Sequence, residues 1–410
     1  MSIHNNDRIN NEYDCLIVGG GASGLMLAAS LAVGSGRGLI LEKTSRTGAK
    51  LLLSGGGRCN ITHGGAARDL VRAYGKSGQR IRKCLYRHSN VELAEWFGEH
   101  GLALSDEKGR YVTSAALRDP SDNTGRIFPS SMKAGDVLSV LTRQAVSNGW
   151  KILTGREVYD ISPASGSDDL SPLWSVKASP SERFLSRSVV IASGGITFPE
   201  TGSDGSVFGI LKELGVEITD LRPALAPVYV REYPYEGLSG ISIPDVTVTA
   251  FSSCTAGADR KKTASMRGDL LFTHRGFSGP VMLNISKYVE PDGLIRICYN
   301  KEFGDLPKRM QRTLESRSAG QSGDVRTSVL DSLIEQDDFI ADHVDENGMV
   351  TSGGVSLDCI DTATMQIRDM PGLYAVGEAV DADGITGGYN LQMCWSTART
   401  AADHLSEVIE

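Results

Sequence analysis

One stretch constrains this chain more than any other: Asp14-Cys-Leu-Ile-Val-Gly-Gly-Gly-Ala-Ser-Gly-Leu25. Cys15 to Val18 form a short apolar run that reads as a fully buried parallel strand. Gly19, Gly21 and Gly24 then spell G-x-G-x-x-G, and Leu25 to Ala32 continue as an Ala/Leu-rich helix. In such a strand–turn–helix the first glycine permits the tight turn and the second lets a pyrophosphate approach the backbone. The third permits close packing of the helix, whose N-terminus faces the phosphates. A second apolar strand, Gly38 to Leu41, ends in Glu42, 18 residues beyond Gly24. A carboxylate at that place accepts a ribose hydroxyl. The alternative is a purely structural glycine-rich turn, and the flanking strands and helix weigh against it. The chain is expected to bind a dinucleotide.

At 410 residues the chain is long enough for two or three domains. A net charge of −8 advertises neither a nucleic-acid nor an anionic-membrane partner for the molecule as a whole. Seven cysteines without a C-x-x-C spacing argue against a disulfide framework or a zinc site, and no metal constellation is visible among the seven histidines. A reducing, cytoplasmic location fits. No apolar run is long enough to cross a membrane. Residues 1–12 are polar and Asn-rich and read as a flexible tail.

Further glycine-rich segments follow apolar runs. Leu51-Leu-Leu-Ser-Gly-Gly-Gly-Arg-Cys-Asn60 suits neither helix nor strand and fits a backbone lying against a flat or anionic ligand. Strands are expected near Lys151–Ile161, Leu173–Ala178 and Ser186–Ala192, with Ser162–Ser171 as a hairpin tip between the first two. The third runs into Ala192-Ser-Gly-Gly195. Gly372-Leu-Tyr-Ala-Val-Gly-Glu378 repeats that pattern, and Thr386-Gly-Gly-Tyr-Asn-Leu-Gln392 opens the last helix. Between them, Pro223, Pro227, Pro234 and Pro244 punctuate short β-type runs, so 221–345 reads as an inserted β-rich domain. Its segment 305–342 is charged and is expected to be helical. Domain boundaries follow: a first part of the nucleotide-binding domain at 13–220, the insert, and a second part at 346–410.

These blocks, with Gly125-Arg-Ile-Phe-Pro129, Pro199-Glu-Thr-Gly-Ser203, Arg222-Pro-Ala-Leu225, Leu271-Phe-Thr-His274 and Thr351-Ser-Gly-Gly-Val-Ser356, resemble the BaiN/RdsA (YhiN-like) family of FAD-dependent oxidoreductases over roughly residues 13 to 405. The resemblance implies an α/β fold. Its core would be a Rossmann-like, glutathione-reductase-type FAD-binding domain carrying the β-rich insert and a short helical segment. It implies FAD, held non-covalently, with NADH or NADPH as electron donor. By position, Gly19, Gly21, Ala22, Ser23 and Gly24 would hold the pyrophosphate and Glu42 the adenosine ribose. Val158 would meet the adenine, and Lys50 with Gly55, Gly56, Gly57, Arg58, Cys59 and Asn60 would run along the flavin. Ala192, Ser193, Gly194, Gly377, Glu378, Asn390, Leu391 and Gln392 would complete the site.

Members of that family reduce a conjugated double bond in oxo-bile acids, make dihydrouridine in large-subunit ribosomal RNA, or oxidise aminoacetone. The resemblance favours reduction of a conjugated C=C bond. A uridine in ribosomal RNA is the expected substrate, ahead of a small enone or a small amine. A different class stays open, an RNA-binding or assembly flavoprotein with vestigial redox activity. Cys59, His274, Arg58 and Tyr389 are the candidate proton donors or electrophilic groups. Each has a structural alternative: packing for Cys59 and Tyr389, a structural histidine, and a phosphate or flavin-edge contact for Arg58. Two basic clusters, Arg72 to Arg87 and Arg260 to Arg275, read either as solvated faces or as a phosphate-tracking surface.

Overall fold

The computed structural model describes residues 12–34, 37–119, 124–165, 172–253, 259–318 and 323–409. The expected tail, apart from Glu12, and residues 166–171 of the expected hairpin tip lie outside them. The apolar run after Asp14 has nothing to offer water, and β1 (Glu12–Val18) is buried from Tyr13 onward. It is paired in parallel on both sides, with β2 (Gly38–Glu42) and with the strand Glu182–Ile191. Trp150–Thr154 continues the parallel ladder beyond β2, and Leu373–Ala375 continues it beyond Glu182–Ile191. Helix α1 (Ala22–Ser30) connects β1 to β2. It packs on the helices Ala134–Ser147 and Tyr389–Ile409, giving a covered parallel sheet.

The single strand expected over Lys151–Ile161 is two. Gly155 takes φ +67. The N–H groups of Gly155 and Arg156 turn back to the carbonyls of Thr44 and Glu42. The chain therefore leaves the parallel ladder and re-enters as Val158–Pro163, antiparallel to Trp174–Ala178. That hairpin joins the sheet through Glu182–Ile191.

After β2 come α2 (Ala49–Leu53), the short strand β3 (Thr62–His63), and three one- to two-turn helices, α3 (Ala67–Arg72), α4 (Gly75–Arg80) and α5 (Arg82–Arg87). A capping box of Ser89 and Glu92 then opens α6 (Asn90–Glu99).

The chain divides into two compact units, with cuts after Leu221 and after Val350. The second unit is a closed six-stranded antiparallel barrel. Around it run Val228–Val230, Gly276–Ser278, Lys262–Phe272, Ser242–Ser253, Gly293–Cys298 and Asp337–Val344. Val246, Val248, Leu270, Phe277, Ile295 and Ile297 fill its interior. The helical expectation for 305–342 needs correction. Helices occupy Lys308–Arg317 and Gly323–Glu335, but Asp337–Val344 is a strand. Asp337, Phe339 and Ala341 point inward at alternate positions, and a carboxylate at the first of them hides the period of two. Inside the barrel Asp337 accepts hydrogen bonds from the Tyr235 hydroxyl, from the Tyr299 hydroxyl at 2.9 Å and from Arg317 at 3.1 Å. Burial pushes its carboxyl up from the usual range, against the pull of those partners.

Candidate active site

In a parallel sheet of this kind, ligands bind beyond the carboxyl ends of the strands. The ends of β1, β2, Glu182–Ile191 and Leu373–Ala375 open into the glycine-rich segments at 19–24, 192–195 and 377–378, with Glu42 closing β2. The glycines of the first segment differ in what they face. Gly19 takes φ +107, and a Cβ there would lie 2.5 Å from the Ala192 carbonyl oxygen. A Cβ on Gly24 would lie 2.1 Å from the Gly19 carbonyl oxygen, whereas one on Gly21 would meet nothing within 4 Å. Gly21 is also the N-cap of α1 and supplies no side-chain cap to the first-turn N–H groups. Glu42 is buried. It accepts from the Gly20 N–H at 2.9 Å, the Thr44 N–H at 2.8 Å and the Thr44 hydroxyl at 2.7 Å. With about four acceptor positions on a carboxylate, one remains for a ligand hydroxyl.

The triple-glycine loop follows α2. Gly55, Gly56 and Gly57 take φ +58, +66 and +82, so three left-handed residues expose backbone where side chains would be strained. Arg58 is exposed, with its guanidinium 5.3 Å from the Phe128 ring centre. Cys59 sits at φ +59 and is fully buried, and burial pushes its thiol up to about 12. Asn60 Oδ1 and Ser193 Oγ are buried without a hydrogen-bond partner among the described residues. Unpaired buried polar atoms are costly, and two of them on segments singled out for the cofactor fit a polar ligand resting there. The uncapped α1 start, the open face at Gly21 and the spare acceptor on Glu42 fit FAD equally.

Several expected contacts are spent within the protein. Lys50 Nζ donates to both Glu378 oxygens, at 2.8 and 2.7 Å, and to the Thr197 hydroxyl at 2.8 Å. Glu378 also accepts from the Thr351 N–H at 2.8 Å, so its carboxylate holds the protein together at this edge. Asn390 clamps the Gly384 backbone through both ends of its amide. Gln392 is buried and bonded to Thr62, to the His88 carbonyl and to Ser396. The side chains of Glu378, Asn390 and Gln392 thus tie these segments to the rest of the protein, and the backbone of Gly377 is engaged as well, its N–H donating to the Thr397 hydroxyl at 2.9 Å and its carbonyl accepting from the Val380 N–H. Val158 is buried at the head of its strand. Because the Lys50–Glu378 pair is only partly exposed, Lys50→Met should cost about 2–4 kcal/mol of stability. The pair Lys50→Met/Glu378→Gln should recover much of it. Thermal unfolding of the single and double variants measures both.

Tyr389 begins the helix Tyr389–Ile409. Its ring stacks on His63 with centroids 5.0 Å apart and planes 16° apart, and it meets Tyr74 edge-on. The Tyr74 hydroxyl donates to the Tyr389 carbonyl at 2.6 Å, and burial raises the Tyr389 phenol. His63 and Tyr74 are missed by motif reading. The signal available for His63 is its place three residues beyond Asn60. His274 is exposed in the turn between Lys262–Phe272 and Gly276–Ser278 of the barrel. Among the described residues no group of His, Cys, Asp or Glu could hold a metal ion, and no helix is long and apolar enough to cross a membrane.

A family model described as HI0933-like protein Rossmann domain matches residues 13–404. The chain belongs to that family. This HI0933-like protein is a FAD-dependent oxidoreductase. It is 26% identical to a ribosomal RNA dihydrouridine synthase of Haemophilus influenzae, over 95% of this chain and 98% of that one. It is 28% identical to a 3-dehydro-bile acid delta(4,6)-reductase of Clostridium scindens, over 95% and 98% of the two chains. Among solved structures, the FrdA subunit of Escherichia coli quinol fumarate reductase matches with TM-score 0.52 at 15% identity, covering 97% of this chain and 70% of that one. A 3-ketosteroid delta1-dehydrogenase of Sterolibacterium denitrificans matches with TM-score 0.50 at 12% identity, over 97% and 100%. These two share its fold.

The basic clusters of this HI0933-like chain differ in how far their charges are neutralised. In the first, Arg72 pairs with Asp69, Arg80 with Asp358 and Arg87 with Asp403. Lys76, Arg82 and Lys83 are exposed and have no acidic partner among the described residues. In the second, Arg267 is held bidentate by Asp245, Arg260 donates to two backbone carbonyls and Arg275 lies over the Tyr229 ring. Lys261 and Lys262 remain exposed there.

Proposed function

We propose that this protein reduces a carbon–carbon double bond conjugated to a carbonyl, and that its substrate is a uridine of large-subunit ribosomal RNA. The observation that carries the reading is that relatives matched over nearly their whole length are named for saturating such a bond, in uridine or in an oxo-bile acid. The 5,6 double bond of uracil is conjugated to a carbonyl, so the two substrates present one reaction centre.

In this reading Gly19, Gly21, Ala22, Ser23 and Gly24 hold the pyrophosphate of a non-covalent FAD. Glu42 takes the ribose hydroxyl and Val158 borders the adenine. The backbone of 55–60, 192–194 and 377–378 lies against the ring system. Bound there, FAD supplies the hydride, and NADH or NADPH recharges it. The N-terminal turn of Tyr389–Ile409 favours negative charge beside it. Cys59, with no exposed surface, packs beneath the loop rather than donating a proton, and Arg58, whose Nε donates to the Gly55 carbonyl at 3.1 Å, turns its terminal amino groups to an anionic or carbonyl oxygen. Lys76, Arg82 and Lys83 hold phosphates flanking a base that has left its stack.

Deleting the gene and mapping dihydrouridine in ribosomal RNA tests this. The expected result is loss of one dihydrouridine, restored by the wild-type gene. An unchanged map moves the substrate to a small enone, as the bile-acid relative favours. Fast flavin reduction by an amine, with slow reoxidation by every enone, would instead assign oxidation.

A further inference from the structure

Reduction of a conjugated double bond needs a proton as well as a hydride, and the groups near the loop are unequal as donors. Cys59 is enclosed, with its thiol pushed up to about 12. Burial likewise holds the proton on Tyr389. Arg58, a guanidinium, does not give up its proton in proteins. His63 differs from all three. Its Nδ1 meets the Gly64 carbonyl oxygen at 2.8 Å, and its Nε2 has no protein partner among the described residues, although the side chain is only half-buried.

The ring lies against the segment that opens the last helix. It stacks on Tyr389, and a Cβ on Gly387 would lie 3.3 Å from its Cδ2. The strand beneath it is pinned from several sides. The Asn90 amide donates to the His63 and Gly65 carbonyls, each at 2.9 Å. The Thr62 hydroxyl is tied to the buried Gln392. The ring is thus fixed in place while its Nε2, without a partner among the described residues, is left available to a ligand.

We propose that His63 is the catalytic proton donor, a reading that rests on the reaction being a C=C reduction. The β-carbon of the substrate receives a hydride, with its electron pair, from the reduced flavin. The α-carbon takes a proton from Nε2–H of the imidazolium, so one N–H bond breaks and one C–H bond forms. The substrate is reduced, the flavin is oxidised and the imidazole becomes neutral. The proton that stays on the ring is the Nδ1–H already held by Gly64, so no tautomer change is needed before the next turn. The other titratable and charged groups facing the ring are Tyr389, Tyr74 behind it, Asp69 toward Tyr389, and the cross-strand neighbour Arg126, which is itself paired with Glu107.

Two measurements on the FAD-loaded protein test this. Nitrogen-15 NMR of labelled histidine should show neutral His63 protonated at Nδ1, and the Nε2–H tautomer would overturn the proposal. Anaerobically reduced His63→Gln, mixed with uridine-bearing RNA or with enones, should reoxidise about 100-fold more slowly than wild type. Its flavin content and melting temperature should match wild type, and the alkaline limb of its pH profile should be gone. Reoxidation within about threefold of wild type, or a retained alkaline limb, would also overturn it. If no such acceptor reoxidises wild type, the reaction assignment fails and the role of His63 falls with it, whereas slow reoxidation confined to the variant leaves the reaction assignment standing.

Discussion

Gly21→Glu should yield a folded protein that purifies without flavin. The position takes φ −84, which any residue adopts, and nothing within 4 Å obstructs a new side chain. On the proposed reading, the added carboxylate would stand where the pyrophosphate approaches. Two like charges about 4 Å apart at an effective dielectric near 20 repel by about 4 kcal/mol, close to a thousandfold loss of affinity. Fluorescence titration of the apoprotein with FAD measures it, beside a melting curve for the same preparation. The same variant should fail to restore dihydrouridine in a deletion strain. Affinity within tenfold of wild type would move the pyrophosphate away from α1. Gly24→Ala should fail differently, because its Cβ meets a carbonyl oxygen at 2.1 Å and the turn itself must shift.

Asp337→Ala should cost about 2–4 kcal/mol in the barrel. The substitution leaves the fully buried hydroxyls of Tyr235 and Tyr299 without their acceptor, and Arg317 without its counter-charge. The side chain of Arg317 keeps 29% exposure, so water relieves part of the loss and the figure stays below that for a sealed ion pair. Asp337→Asn keeps an acceptor and should cost less. Hydrogen exchange in Ser242–Ser253 and Lys262–Phe272 reports the barrel directly, and protection unchanged by the alanine would remove the network from its stability. The sign with pH follows from the upward shift. A carboxyl raised in the folded state favours its protonated form, so its contribution is fully present at low pH and declines as pH rises through the folded value.

Much of the nucleotide-binding unit was legible because its signals are local. The apolar run, the three glycines and Glu42 lie within one β–α–β unit, and each glycine has a backbone reason that sequence spacing alone conveys. The inserted barrel announced itself through prolines and short β-type runs. What stayed hidden depends on partners distant in sequence. Asp337 reads as a surface charge until Tyr235, Tyr299 and Arg317 are brought around it. Gln392 and Glu378 read as ligand contacts in sequence, and nothing local announces their bonds to Thr62 and Lys50. His63 lies in a strand of two residues, too short for any periodicity, and takes its meaning from Tyr389, which joins it from the far end of the chain.

The strand Glu182–Ile191 borders β1 on one side and Leu373–Ala375 on the other. During synthesis the barrel is made between these two strands. The second edge of Glu182–Ile191 therefore stays without its parallel neighbour until after the barrel has emerged. Val189, Val190 and Ile191, all buried in the finished protein, are the residues of that waiting edge. An apolar strand edge left open invites pairing with another chain. The helix Tyr389–Ile409, which packs on α1, arrives later still. A truncated chain ending before Leu373 should aggregate rather than accumulate as a soluble half-enzyme.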